Sequence, residues 1–381
     1  MKYDYIIAGS GCAGLSLLYR ILKDSQLCKK QILVIDKAQK NKNDRTWCFW
    51  EKGRGLFEEV VTHQWETLEF LSDDFQRKFH MKEYRYKMIL GIDFYNHVIG
   101  FAKQFDNVTF ISENIIAITS VDDFAEVSTE NATYKATYVF NSTSLFYPKM
   151  DTKNSLLQHF EGWVIKSKKP VFEPNVGRLM DFTLSQEHGA TFMYVLPTSE
   201  TEALVEYTLF TEKVLKKEQY KAALKAYIKD DLQIDDYEII HTEFGIIPMS
   251  LAKFSRNVPN EKCIINLGTA GGFTKASSGY TFQFVQKHTE NIIHLLKKGK
   301  HPNPQLTFRD KMFQWYDRTL LEVILSEKLE GKEIFATIFK NREIETILAF
   351  LGNESSVWED IKVMRCLPIM PFLTSGVKQL K

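Results

Sequence analysis

Residues 3–22 read YDYIIAGSGCAGLSLLYRIL, and this stretch decides the fold. Its first six residues have the continuous apolar character of a strand covered on both faces. Gly9, Gly11 and Gly14 follow in the spacing G-x-G-x-x-G, and a helical run begins. A second apolar run, QILVID, ends in Asp36, 22 positions after Gly14. Each part has a task in a strand–turn–helix–strand unit that holds a dinucleotide. Gly9 permits the tight turn, Gly11 lets a pyrophosphate approach the backbone, and Gly14 lets helix and strand pack closely. The helix N-terminus offers unpaired N–H groups and the positive end of its dipole to phosphates. Asp36 is positioned to accept hydrogen bonds from a ribose.

The motif alone does not separate FAD from NAD. Its N-terminal location and a second Gly-rich stretch, CIINLGTAGGFTKASSGYTFQFVQKHTENIIHLL (263–296), favour FAD. There a strand ends at Gly268, a loop carries Gly271, Gly272 and Gly279, and a long apolar helix follows. A second helix N-terminus would face the isoalloxazine end of the cofactor.

Between the two motifs the chain reads as mostly β, with strands expected at VTFI, FAEVST, YKATYVFNST, GWVIKS and GRLMDF. ATFMYVLP and EALVEYTLF, joined around Ser199, read as an antiparallel hairpin. In the second of these, alternation places Leu204, Glu206, Thr208 and Phe210 on one face and Tyr207 on the other. A carboxylate on such a face suits either a half-exposed sheet position or a catalytic acid. A helix is expected over 212–230, burying Val214, Leu215, Leu224, Tyr227 and Ile228. Beyond 305 the pattern turns helical: Ile344, Ile347, Leu348 and Leu351 share a face before Gly352, and Ser356 with Glu359 forms a capping box.

With 49 basic and 48 acidic residues and a net charge of +1, a nucleic-acid binder that works by charge is excluded. Cys12, Cys28, Cys48, Cys263 and Cys366 form no C-x-x-C pair, so neither a zinc nor a dithiol site is expected, and a reduced cytoplasmic setting is the simplest reading. No apolar run reaches about 18 residues, so no spanning helix is expected. Twenty-eight Phe suit a large core, and equally an apolar cavity or a membrane-facing surface. The tail MRCLPIMPFLTSGVKQLK sets apolar residues beside Arg365, Lys378 and Lys381, a pattern that suits a membrane surface or packing on its own domain.

Several stretches together resemble one family, the FAD-type bacterial lycopene β-cyclases. They are IIAGSGCAGLSL, RTWCFW (45–50), FMYVLPTSETEALVEYT (192–208), FGIIPM (244–249), GTAGGFTKASSGYTF (268–282), WYDRTLLEVI and LPIMPFL. The resemblance implies a carotenoid cyclase, chemically an isomerase, in which the ψ-ends of lycopene are protonated and closed to β-ionone rings. It implies reduced FAD with NAD(P)H as electron donor, peripheral attachment to the cytoplasmic side of a lipid membrane, and association with other carotenoid-pathway enzymes. The family's acidic motif falls on Glu206, Tyr207 and Thr208, with Glu206 matching the essential carboxylate and Tyr207 standing where relatives carry a second acid. Arg45 is implied at the flavin phosphates, and Trp47, Tyr194 and Thr208 in the substrate tunnel. The expected fold is α/β (α+β overall), as in the hydroxylase-type flavoproteins. A Rossmann-like FAD-binding domain takes 1–60, 95–155 and 255–300, a β-rich substrate domain takes 61–94 and 156–254, and 301–381 is helical. The competing reading is a redox FAD-dependent hydroxylase or isoprenoid reductase, which has no evident use for Glu206.

Overall fold

The computed structural model describes residues 2–380; Met1 and Lys381, the last cation of the tail, lie outside them. The strand Lys2–Ala8 sits inside a seven-stranded sheet, with Ile6, Ile7 and Ala8 fully buried because both faces are covered. It pairs in parallel with Ile32–Ile35 on one side and Thr133–Asn141 on the other. The crossover to Ile32–Ile35 is the helix Cys12–Lys23, which buries Leu15, Leu18 and Leu22. Val108–Ile111 and Ile264–Asn266 add further parallel strands, and Phe124–Thr129 with Ile115–Val121 continues the sheet antiparallel. Ala8, Ile35, Asn141 and Asn266 therefore end on one edge, the side where open α/β sheets bind ligands.

A second seven-stranded sheet runs Tyr237–Ser250, Ser155–Ser167, Glu202–Thr211, Ala190–Pro197, Val176–Asp181, Thr67–Ser72, Phe75–His80. The hairpin of Ala190–Pro197 and Glu202–Thr211 is formed, its turn fastened by the Ser199 hydroxyl, which accepts from the N–H groups of Thr201 and Glu202. A small third sheet joins Thr46–Lys52, Tyr84–Leu90 and His63–Trp65, so a domain boundary at 60/61 falls inside it.

The helix Lys217–Asp230 covers one face of the second sheet, burying Tyr220, Leu224, Tyr227 and Ile228 against Val205, Tyr207 and Leu209. It starts five residues later than the pattern suggests. Val214 is exposed and precedes the helix, whose first turn is fixed where the Gln219 side chain accepts from the Lys216 N–H at 3.0 Å. Helices Phe308–Leu325, Gly331–Asn341, Ile344–Leu351, Val357–Met364 and Ile369–Lys378 make up the C-terminal part. Among them Phe339 stacks on Phe70 of the second sheet at 4.2 Å. Ser356 and Glu359 form the capping box. Gly352 ends its helix with a negative φ, and Asn353 takes the left-handed turn at φ 57°.

Candidate functional site

The loop between Lys2–Ala8 and Cys12–Lys23 opens one end of a cavity of about 690 Å³. Its glycines divide the work. Gly9 has φ +99°, and a side chain there would strike the Ser142 hydroxyl. At Gly14 a Cβ would run into the carbonyl of Gly9, so only glycine allows the helix this close to the strand. Gly11 differs: a Cβ there would point into open space. The helix that begins after Gly11 has no side-chain cap and no acid in its first turn, leaving its N–H groups free for an anion. Arg45 and Lys40 line the same cavity.

These features fit a dinucleotide's pyrophosphate. Asp36 lies beside them, accepting from Ser10 N–H (2.7 Å), Ser10 Oγ (2.9 Å) and Ala38 N–H (2.8 Å), with Lys40 at 3.5 Å. Burial would raise its pKa, but these N–H donors and the lysine charge outweigh burial and hold it below the ordinary carboxylate value. Most of its acceptor capacity is thus used within the protein, and a ribose would have to share it.

The second Gly-rich stretch contributes unevenly. Gly268 and Gly279 line the cavity, whereas Gly271 and Gly272 line a neighbouring pocket. The long helix starts at Phe282, after the loop that ends at Gly279, and Thr281, Phe282 and Val285 at its N-terminus line the cavity; a single 3-10 turn at Gly268–Gly271 precedes that loop. Gly279, at φ +72°, allows the Gln158 side chain to lie against its backbone. Gln158 Oε1 and Ser278 Oγ are buried on this cavity without a hydrogen-bond partner among the described residues. Such orphaned polar atoms suit the polar edge of a bound heterocycle.

At the other end of the cavity, pairing register builds one row across four strands. Tyr194 stands opposite Glu206, Glu206 opposite Gly162, and Gly162 opposite Glu243. Glu206 and Glu243 lie two strands apart, roughly 10 Å between backbones. They reach each other because Gly162 between them has no side chain, and their carboxyls are in hydrogen-bonding contact. Thr208 Oγ1 donates to Glu206 Oε1 at 2.9 Å and Thr46 Oγ1 donates to Glu243 Oε2 at 2.7 Å. Glu206 retains some accessible surface where it lines the cavity, while protein encloses its carboxyl.

Burial, reinforced by the charge of Glu243, pushes Glu206 well above the carboxylate range against the opposing Thr208 hydrogen bond. Burial raises Glu243 to about 7, opposed by the hydrogen bonds of Thr46 and Glu206 and by the Arg45 charge. As pH rises through about 7 the pair therefore gives up one proton, from Glu243, and keeps the other on Glu206.

This arrangement has a stability signature. Glu206 and Glu243 both bind a proton more tightly folded than unfolded, so stability falls as pH rises above about 4.5, and the share due to Glu243, on the order of 3 kcal/mol, is complete near pH 7. Glu243→Gln should flatten that decline. Thermal melts of both proteins between pH 5 and pH 8 check it, and equal slopes would contradict the assignment.

Of the other expected site residues, Arg45, Trp47 and Tyr194 line the cavity, Trp47 edge-on to Phe94 at 5.2 Å. Thr208 does not line the tunnel; it is fully buried behind Glu206 as its hydrogen-bond donor. Tyr207 faces the opposite side of the sheet, against Tyr220. Reading the sequence missed Glu243, Gly162, Thr46, Gln158 and Ser142. One available signal was Glu243 directly preceding FGIIPM, one of the blocks that resemble the cyclases.

Solved structures share this architecture at low identity. A geranylgeranyl bacteriochlorophyll reductase-like protein from Thermoplasma acidophilum is similar with a TM-score of 0.63 and 14% identity, covering 100% of this chain and 99% of that one. A flavoprotein/dehydrogenase from Cytophaga hutchinsonii gives 0.64 and 12%, covering 100% and 99%. A variant of the halogenase PltM in complex with FAD gives 0.56 and 12%, covering 89% and 76%. The fold is thus that of the FAD-dependent flavoproteins. No curated protein sequence matches the chain. The family model described as lycopene cyclase protein matches residues 4–376, and with nearly its whole length matched the chain belongs to the lycopene cyclase family.

Proposed function

We propose that this protein cyclises the ψ-ends of lycopene to β-ionone rings, giving β-carotene by way of γ-carotene without net redox change. The observation that carries the reading is the enclosed Glu206–Glu243 pair in the cavity that also holds the Gly9–Gly14 loop. Family membership supports the substrate class, and the glycine cradle, the free helix N-terminus and the orphaned Gln158 and Ser278 atoms support FAD as cofactor. Reduced FAD in this cavity, with NAD(P)H as its electron donor, would supply negative charge where positive charge develops on the substrate.

The protein's own residues handle the protons. Glu206, kept neutral by burial, delivers its proton to the terminal double bond of the ψ-end. The neighbouring double bond attacks the resulting cation and closes the ring. Loss of a proton from the new ring then restores neutrality, and Glu243, which ionises as pH rises through about 7, is the acceptor we assign. One proton enters and one leaves, so substrate and product are isomers. Trp47, Tyr194 and Tyr280 line the walls and limit water around the cation.

The test is an anaerobic assay with lycopene in liposomes and dithionite-reduced FAD. Ring formation without stoichiometric flavin oxidation is expected. Flavin reoxidation in step with product would instead establish a redox enzyme.

A substrate insoluble in water requires contact with lipid. Among the described residues no helix is long and apolar enough to cross a membrane. The helix Ile369–Lys378 exposes Ile369 (75%), Met370 (65%), Leu373 (55%) and Val377 (53%) along one face. We assign this face to peripheral attachment on the cytoplasmic side. Burying two such residues contributes several kcal/mol, so Ile369→Glu with Leu373→Glu should lower partitioning onto liposomes at least about tenfold. Unchanged flotation with liposomes would refute this surface.

A further inference from the structure

Behind the Gly268–Thr274 turn lies a second pocket of about 890 Å³ that shares Pro248, Thr269 and Thr274 with the first cavity. Its charge is one-sided. Lys253, Arg256, Lys275, Lys287, Lys311 and Arg318 line it against only two acids, Asp310 and Asp317. Asp317 is engaged by Lys275 at 2.6 Å and by the Ser277 hydroxyl at 2.7 Å. Asp310 caps its own helix through Thr307. Lys287 pairs with Glu354 at 2.7 Å. Lys253, Arg256, Lys311 and Arg318 have no ion-pair partner among the described residues.

Two of these cations, Arg256 and Arg318, are half-buried, and burial lowers the pKa of each. It is opposed by the charge of Asp310 at Arg256 and of Glu322, one helical turn on, at Arg318, whose Nη1 also donates to the Leu251 carbonyl. Half-buried guanidinium groups held in no ion pair offer an anion a site with little competition from water. The Arg256 guanidinium lies over the Phe273 ring at 4.4 Å, and the other partner of that ring is His288, stacked at 3.7 Å and 17°. His288 is only 3% exposed, and its Nε2 has no hydrogen-bond partner among the described residues although the residue lines the pocket. Burial holds it well below the ordinary histidine value, so it is a neutral ring with an unmet polar atom.

We infer that this pocket binds a phosphorylated nucleotide, with Arg256, Arg318 and Lys311 taking the phosphates and the Arg256–Phe273–His288 stack providing a planar surface beside them. Inorganic phosphate would leave most of the volume and the stack unused. The shared wall at Thr269 and Thr274 sets the pocket next to the cavity assigned above to FAD, a relation that rests on that reading; the binding itself does not.

The test titrates NADP⁺ into the FAD-loaded protein by calorimetry, without carotenoid, at low and moderate salt. Binding that weakens with salt, and at least tenfold in Arg256→Gln, is expected. Lys311→Glu at the rim provides a second variant should Arg256→Gln fail to fold, with FAD absorbance reporting the fold. No binding, or binding indifferent to both variants, overturns the proposal. So does inorganic phosphate competing as tightly as NADP⁺, which would leave only a phosphate site. Binding to phosphatidylglycerol vesicles that depends on Arg256 while NADP⁺ does not bind would overturn it in favour of a lipid headgroup. Because no cyclisation is measured, a negative result here leaves the cyclase reading standing, and a failed cyclase assay leaves this one standing.

Discussion

Glu206→Gln is expected to slow cyclisation by about 10²- to 10⁴-fold while leaving FAD binding unchanged. The substitution keeps the size and the acceptor oxygen that Thr208 uses at 2.9 Å. It removes a carboxyl that burial and a neighbouring carboxylate together keep protonated at neutral pH. An amide offers no proton of comparable acidity to a carbon–carbon double bond. Because Glu206 sits in the second sheet and the glycine loop in the first, FAD affinity should not move. Flavin fluorescence titration and product chromatography on the same preparation check both halves. A variant within tenfold of the parent rate would remove the proton-delivery role from Glu206. A variant that loses FAD would show that the two ends of the cavity are coupled.

Much of the first sheet was legible because its signals are local. The turn at Gly9–Gly14 needs glycine at fixed offsets, and the strands on either side are covered on both faces, so they read as unbroken apolar runs. The hairpin around Ser199 is equally local. The second carboxylate was not legible, because Glu206 and Glu243 meet only through the pairing of three strands. The strand that carries Glu243, Tyr237–Ser250, lies at the sheet edge, where Gly245 and Pro248 interrupt the usual pattern. An edge strand tolerates Pro because its outer N–H groups need no partner. Tyr207, standing where relatives offer a second acid, invited doubt about any two-carboxylate chemistry. The fold supplies that acid from another strand, and Tyr207 serves the opposite face. Gly271 and Gly272 show the limit of a local signal. They carry a conspicuous Gly-rich signal, yet within a turn shared by both pockets they line the neighbouring one.

Gly162→Val should cost about 10²-fold in cyclisation rate with little change in FAD affinity. Gly162 belongs to no recognisable motif; its importance appears only in the register, where it separates the two carboxylates. Even a single Cβ there would lie 3.1 Å from Leu204 Cδ1, 3.2 Å from Glu243 Cγ and 3.4 Å from Glu206 Oε2. Valine's further methyl groups must displace at least one of these neighbours. Valine is favoured in strands and Gly162 has no left-handed backbone, so the strand itself should persist. The damage then falls on the pair. Once the carboxyls are separated, the charge of Glu243 no longer raises Glu206, and their shared hydrogen bond is lost. Gly162→Ala should fall between parent and valine, since one methyl at these distances requires only small shifts. The pH dependence of stability distinguishes this cause from general damage to the fold. If the carboxylates are uncoupled, the decline in stability between about pH 4.5 and pH 7 changes with the rate. A valine variant with parental activity would mean that the two carboxylates need not touch for the reaction to proceed.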